Sequence, residues 1–519
     1  MNVGDLLAKA AFRFPNHTAV VHQKTRLTTK ELLGRIYRLA NALLGLGLKK
    51  GDRVAVLLNN CHQSVECFFG LACAGLVLVP MNSRNSAREH LFLLNDSEAK
   101  AILLGDEFRE PIASILPEAR SISHALCVTG KALEGMPAYE ELMAQASPEK
   151  PGLDVSEEDI ISLRYTAGTT GQPKGTIHDH RSFVTMVNNI LMDGFQILEG
   201  DAVALMGPVT HASGAMIIPH IVRGAKVVIL STFDIPTILE TIQKEQITTL
   251  YLVPTMIVMM LAYPDLKKYD LGFLKNIRYG ASPISPEVLK KGIGIFGNIF
   301  QQGYGLTEGG MPVTLLLKKD HFLDGSERSL KRLSSIGREV TVAQVRIMDD
   351  EGKILPPGQI GEIVVQSDMN MKGYWKKPEA TAKTLRGGWL HTRDMGYMDE
   401  EGYIYLVDRK DDMIVSGGFN IYPKEVEDVL YMHPAVLEAA VFGVPDEKWG
   451  EAVKAAVSLR QGMKATEEEI VEHCKNHLAG YKKPKSVDFM KDLPKSLYGK
   501  ILRRKLKEPY WEGRGRMIS

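Results

Sequence analysis

The strongest constraint on the fold is a repeating order of short apolar strands and amphipathic helices in the first part of the chain. Residues 53–58 (RVAVLL) have the length and the β-branched content of a buried strand. Residues 62–74 read as a helix and 76–80 as a second strand, a βαβ unit that implies a parallel sheet. Just upstream, Leu32, Leu33, Ile36, Leu39, Ala40, Leu43 and Leu44 keep helical spacing across 28–48, and Gly45 and Gly47 end that helix. Strand-like runs return at 99–104, 201–206, 225–230 and 247–252, with helical stretches between them. A chain of 519 residues exceeds one ordinary core, so two or more domains are expected.

From about residue 340 the texture changes. Residues 344–348, 361–366 and 402–407 read as strands joined by polar turns such as DDEGK and PPGQ, a smaller β-rich subdomain. A charged segment, RKDD at 409–412, follows Asp408. Beyond it the order is helix (424–432), strand (437–444), strand (451–459), helix (466–478) and strand (485–490), enough to fold alone. The expected fold class is therefore α/β: a large N-terminal domain of αβ sheets with a β-rich subdomain over 1–408, a hinge at 409–412, and a small α+β domain over 413–519.

Composition narrows the function classes. The formal net charge is +1, so nucleic acid is not an expected partner. The five cysteines form no CxxC pair, and zinc and a disulfide framework are both poorly supported. Cys61, Cys67 and Cys73 lie on different helix faces and read as packing residues. His178 with His180, and His473 with His477, have metal-like spacing but no third ligand nearby, and read as polar surface residues. The N-terminal stretch does not read as a signal peptide and no run has membrane-spanning length, so the cytoplasm is the expected location.

The chemistry concentrates at 165–175, YTAGTTGQPKG. Its glycines let backbone N–H groups approach a polyanion and form an anion-binding nest. Thr166, Thr169 and Thr170 add hydroxyl donors and Lys174 adds a positive charge. The plain alternative is a flexible surface hairpin. A Walker A loop is excluded, because Pro173 precedes Lys174 and Gly175 follows it. The formal GxGxxG at Gly292, Gly294 and Gly297 follows a helical stretch rather than a strand, so it reads as a turn.

The loop closely resembles the signature of the adenylate-forming superfamily, which includes acyl-CoA synthetases, firefly-type luciferases and peptide-synthetase adenylation domains. Further segments match in the family's order: Gly280-Ala281-Ser282-Pro283, Gly303-Tyr304-Gly305-Leu306-Thr307-Glu308, Asp394, Asp408-Arg409-Lys410-Asp411, and 494–500 (PKSLYGK). The resemblance implies that Thr166, Ala167, Gly168, Thr169, Thr170, Gly171 and Lys174 hold ATP phosphates. It places Gly280, Ala281, Ser282 and Gly303 to Thr307 around adenine and the acyl-AMP, and Asp394 and Arg409 on ribose. Thr166 and Glu308 would meet a magnesium ion bridging phosphate oxygens, as suits a hydroxyl beside a carboxylate. Lys500 would stabilise the charge that develops as carboxylate meets α-phosphate, and His211 would border the acyl pocket. Taken alone, Lys500 reads as one more lysine of a basic tail, Arg409 as a surface charge and Glu308 as a solvated loop acid.

The implied reaction has two halves. A small-molecule carboxylic acid and Mg-ATP give acyl-AMP and pyrophosphate; a thiol then displaces AMP. A mobile C-terminal domain turning about Asp411 would present Lys500 first and Ser416, Gly417 and Gly418 second. The segment IVSGGFNIYP looks like the CoA-ligase version, with coenzyme A as acceptor. Arg503, Arg504 and Lys505 would attract its nucleotide or form a solvated basic end. Two positions depart from the pattern: Ala167 replaces a common serine, and Arg393 replaces the usual glycine before the ribose aspartate. The substrate expected is a medium- or long-chain fatty acid or an aromatic acid. The methionine-rich stretch 251–261 would line an acyl tunnel or pack as a buried core helix. A carrier-protein-loading adenylation enzyme, a luciferase-like oxygenase and a non-catalytic nucleotide-binding protein are the rival readings, and a homodimer is the oligomeric expectation.

Overall fold

The computed structural model describes residues 1–130, 138–166, 173–282, 284–410, 412–417, 419–495 and 501–512; of Arg409 and Asn420 it describes the backbone. Two large sheets carry most of the chain. In the seven-stranded sheet Arg53–Leu57 lies parallel to Val77–Pro80 and to Ala101–Leu104, as the βαβ order requires. Ile160–Thr166 joins this sheet parallel to Val77–Pro80, and Lys174–Asp179 returns antiparallel beside it. In the nine-stranded sheet Ala202–Leu205, Thr249–Leu252, Asn276–Gly280 and Phe300–Leu306 run parallel in that order, and Gly310–Leu316 turns back along the last.

The sheets are held together by helices between them. His180–Asp193 buries Phe183, Val187 and Ile190; Val3–Arg13 buries Val3 and Leu7; His62–Cys73 buries Val65 and Phe69. These residues share one apolar cluster with Ile161 of the seven-stranded sheet and Val203, Leu205 and Tyr251 of the nine-stranded sheet. Helical spacing places such residues on one stripe, and burial of that stripe is the main stabilising term. The helices Ile235–Glu245, Pro254–Leu261 and Pro286–Phe296 cover the other face of the nine-stranded sheet. The 251–261 stretch therefore divides. Tyr251 belongs to a strand facing the inter-sheet core, while Ile257 and Met260 pack on the far side.

The β-rich region is a five-stranded sheet that includes Ala343–Met348, Gly361–Ser367, Trp389–Met398 and Ile404–Arg409. After residue 410 a separate core forms around Ile414, Val426, Leu430, Val441, Ala455 and Ile470. Its helices Pro423–Met432 and Glu467–His477 and strands Val436–Asp446, Gly450–Leu459 and Ser486–Phe489 match the expected order. It also contains a short hairpin, Ile414–Ser416 with Phe419–Ile421, and a last helix, Arg503–Trp511.

Three expectations change. Gly292 and Gly294 lie inside the helix Pro286–Phe296, with Gly297 capping it at φ 77°, so the formal GxGxxG is helix rather than turn. His178 and His180 are buried, the first on a strand and the second opening a helix. Arg503 is not part of a solvated end, since it pairs with Asp408, Asp412 and Glu427.

Candidate functional site

The site lies where strands of the two sheets end. Thr166, Gly280 and Leu306 close strands that run parallel to their neighbours, and ligands of open α/β sheets bind in the crevice outside such ends. The hairpin Ile160–Thr166/Lys174–Asp179 aims one face at the other sheet. Its direct pairs are Ser162 with His178, Arg164 with Thr176, and Thr166 with Lys174, so these six side chains share a face. His178 Nε2–H donates to the Thr307 carbonyl at 2.8 Å, which fixes that face against the segment carrying Tyr304 to Glu308. Burial, and then the charge of Arg164, pushes His178 down to about 4, so it is a neutral strut.

Lys174 and Glu308 meet through a residue that the sequence did not flag. Lys174 Nζ lies 5.2 Å from the centre of the Tyr374 ring, and the Tyr374 hydroxyl donates to Glu308 Oε1 at 2.9 Å. Burial and the Glu308 carboxylate raise the Tyr374 pKa, so the phenol stays a donor. Tyr374 reaches this place because Gly373–Tyr374 adds as a two-residue edge strand to Lys174–Asp179. Met371 N–H donates to the Glu308 carbonyl at 2.7 Å, which ties the same segment to the other sheet. Such a short strand has no periodicity to read.

On the other side of the site, Tyr304 donates its hydroxyl to Asp394 Oδ2 at 2.6 Å. Asp394 is buried and pairs directly with Arg409 across adjacent strands, so the two ribose candidates arrive together. Gly280 pairs with Gly303, and a Cβ on Gly280 would lie 2.3 Å from the Gly303 carbonyl oxygen. The absence of that carbon lets the two strand ends approach. Ala281 then turns with φ 70°, and Ser282 follows it.

His211 precedes the short helix Ala212–Met216, and its Nδ1 lies 2.9 Å from Thr210 Oγ1. Burial and Arg164 push it down to about 4. Arg164 is a second missed residue. Its guanidinium lies 4.9 Å from the Phe183 ring, its Nε is buried with no hydrogen-bond partner among the described residues, and burial pushes it down to about 10, so it stays charged. One face of the hairpin thus presents two cations, Lys174 and Arg164, toward the crevice.

A hydroxyl on Thr166 and a carboxylate on Glu308 suit a magnesium ion that keeps waters and arrives on phosphate oxygens. Among the described residues there is no group of three or more His, Cys, Asp or Glu side chains that could hold a metal ion. Among the described residues no helix is long and apolar enough to cross a membrane.

In the C-terminal part, Gly417 has φ 60°, and a Cβ there would lie 2.6 Å from the Trp449 ring. Its N–H donates to the Trp449 carbonyl, so this glycine is already required by packing. Ser416 is buried beside it. Ala167, Gly168, Thr169, Thr170, Gly171, Asp411, Gly418, Lys500 and the Arg409 side chain lie outside the described residues.

Comparison with known proteins gives concordant matches. The AMP-binding enzyme family model matches residues 7–375, and the AMP-binding enzyme C-terminal domain matches 425–500. A feruloyl-CoA synthase of Amycolatopsis sp is 36% identical over 510 residues, covering 98% of this chain and 99% of that protein. A long-chain-fatty-acid–CoA ligase of Bacillus subtilis is 36% identical, covering 97% of this chain and 93% of that protein. The crystal structure of ATP-bound MatB from Rhodopseudomonas palustris superimposes with a TM-score of 0.89 at 28% identity, covering 99% of each chain.

Proposed function

The chain belongs to the AMP-binding enzyme family and is an AMP-forming acid–CoA ligase, and on that premise we propose how its residues divide the reaction. The observation that carries the reading is the linked set Lys174–Tyr374–Glu308, with Tyr304–Asp394 across the crevice. The first set suits a nucleotide's phosphates and the second its sugar. The acid is aromatic or fatty, the kinds named for the similar feruloyl-CoA synthase and fatty-acid ligase.

In the first half-reaction the substrate carboxylate attacks the α-phosphate and pyrophosphate leaves. Positioning and neutralisation dominate such chemistry, so no protein nucleophile is needed. Lys174, Thr166 and the loop 167–171 hold the phosphates, and Arg164 adds positive potential behind them. Magnesium on the nucleotide would be met by Glu308 and Thr166 and would offset phosphate charge. Neutral His211 borders the incoming carboxylate without adding charge. Gly280 to Ser282 and Gly303 to Thr307 frame adenine and the acyl-AMP, while Asp394 and Arg409 take the ribose. Lys500 neutralises charge that develops between carboxylate and α-phosphate.

In the second half-reaction the CoA thiol attacks the acyl carbonyl and AMP leaves. The C-terminal domain, 413–519, turns about the 409–412 segment at Asp411, withdraws Lys500 and brings Ser416, Gly417 and Gly418 to the acyl site. Lys500→Ala separates the halves. Acyl-AMP formation, read as pyrophosphate release, should fall by about 100-fold or more, while thioester formation from supplied acyl-AMP falls far less. Equal loss of both steps would remove this division of labour.

A further inference from the structure

Arg278 is buried on the strand Asn276–Gly280, with 1% of its surface exposed. Among the described residues, none of its Nε, Nη1 and Nη2 atoms has a hydrogen-bond partner. The centre of the Phe195 ring lies 5.9 Å from the guanidinium carbon, and the direct neighbour of Arg278 on the adjoining strand is Tyr251. The Tyr251 hydroxyl is also buried, with no hydrogen-bond partner among the described residues. His220 donates Nδ1–H to the Met216 carbonyl and stays neutral, pushed down to about 4 mainly by burial. Burial likewise pushes Arg278 down only to about 10, so it remains a cation in an apolar core. A guanidinium enclosed in this way, with no carboxylate bonded to it among the described residues, is strongly unfavourable unless an anion joins it.

The location says which anion. Arg278 lies two residues before Gly280, so both face the same side of the sheet, roughly 7 Å apart along the strand. Gly280 and Gly303 mark the strand ends where the acyl-adenylate segments converge. A Cβ on Gly303 would lie 3.3 Å from Arg278 Nη2 and 3.4 Å from Pro312 Cβ, and a Cβ on Gly194 would lie 3.5 Å from Nη1. Two glycines thus flank the guanidinium, one of them at the level of the reacting end. An acyl chain that entered the inter-sheet core from the strand ends would run along this strand from Gly280 toward the Arg278 fork.

We propose that the acid activated here carries a second carboxylate, and that Arg278 is the specificity-determining residue that binds it, with the Tyr251 hydroxyl as a further donor. The inference rests on the acid–CoA ligase reading and refines its substrate class to a dicarboxylic fatty acid or an aromatic acid with a second carboxylate. A carboxylate accepts two parallel N–H bonds from a guanidinium, a geometry that neither a methyl terminus nor an ester reproduces.

The experiment compares pyrophosphate release with adipate, suberate and sebacate, their monomethyl esters and the matched monoacids, for the wild type, Arg278→Met and Arg278→Lys. The wild type should favour the best diacid over its ester by about 100-fold in kcat/KM. Arg278→Met should erase that ratio by lowering the diacid far more than the ester, without a lower Tm. Arg278→Lys should keep part of the ratio, since it keeps the charge and loses the fork. A wild type that prefers the ester or the monoacid, or an Arg278→Met that loses every acid equally, overturns the proposal. Thermal stabilisation by each diacid without ATP gives an independent arm: stabilisation lost in Arg278→Met supports the site, and equal shifts in both proteins overturn it. Diacid stabilisation with no pyrophosphate from any acid would instead break the ligase reading and leave the site standing.

Discussion

Two arginines, one on each side of the 409–412 segment, sit in opposite electrostatic settings. Arg503 keeps 20% of its side chain exposed and has three carboxylates, Asp408 at 3.3 Å, Asp412 at 3.1 Å and Glu427 at 2.7 Å. Arg278 keeps 1% of its surface exposed and has none among the described residues. Burial acts to lower both pKa values; Glu427, Asp408 and Asp412 outweigh it at Arg503 and hold that group well above its usual range. The better-enclosed cation therefore has fewer partners, the reverse of what folding stability alone requires. Arg503 fastens the last helix to the segment between the two parts of the chain. Arg278, on the proposal above, is completed by the second carboxylate of the acid.

Acid should separate the two regions most strongly. The N-terminal part buries His178, His180, His220 and His321 as neutral rings, each pushed down to about 4, with burial the largest cause. Their N–H groups are committed at three sites: His178 to Thr307 O, His220 to Met216 O and His321 to Leu317 O. Between about pH 6.5 and 4 the unfolded chain binds these protons and the folded one does not, so stability falls as pH falls, by about 1.4 kcal/mol per pH unit for each histidine. In the C-terminal part, His433 has a lowered pKa, through burial and His473, and it is only partly buried. Two-probe unfolding at pH 5 should show the N-terminal part losing stability first. Parallel loss in both parts would break the contrast.

Arg503→Met is the next largest effect. It removes the Arg503 guanidinium from Asp408, Asp412 and Glu427 and should cost about 3 kcal/mol, the low end for a broken buried pair because Arg503 is partly exposed. The loss should appear as earlier proteolysis near 410–424, where Lys424 N–H also donates to Asp408. Arg278→Met, a change of similar chemistry, should not lower Tm. If both variants lose stability alike, the two arginines are both structural.

The parts of the fold that could be read from the sequence are those with a local period. The βαβ order at 53–80 and the helix–strand order after 424 carry their signal within a few residues. What stayed hidden depends on residues far apart in sequence. The HxH of His178 and His180 looks polar, yet His178 is buried because Thr307, on the other sheet, accepts its proton. Tyr374 joins Lys174 to Glu308 from a strand of two residues. Arg278 stands in the ordinary run NIRYG, and only the row Tyr251–Arg278–Gln301 across three strands shows that its cross-strand neighbours carry no carboxylate. Motif order made Asp394 and Arg409 candidates for one sugar, and in the fold the two are direct cross-strand neighbours.

The smallest effect belongs to Arg393, where the usual glycine of the family is replaced. Arg393 has φ 63°, a left-handed conformation that costs a residue with a Cβ about 1 kcal/mol or more. The conformation is imposed from both sides: its N–H donates to the buried Glu362 carboxylate at 2.9 Å, and its carbonyl accepts from Lys410 N–H at 2.8 Å. These bonds belong to the backbone, so glycine can keep them. Arg393→Gly should therefore raise stability by about 0.5–1 kcal/mol, less than the relieved strain because glycine loses more chain entropy on folding. The guanidinium sits close enough to Tyr374 to oppose the rise of its pKa, which places positive charge beside the Lys174–Tyr374–Glu308 set. Its removal should raise KM for ATP by roughly two- to fivefold, as expected for one exposed charge, with kcat little changed. A higher Tm with weaker ATP use would mean that this chain keeps a strained residue for its charge. A lower Tm would mean that contacts of the Arg393 side chain outweigh the backbone strain.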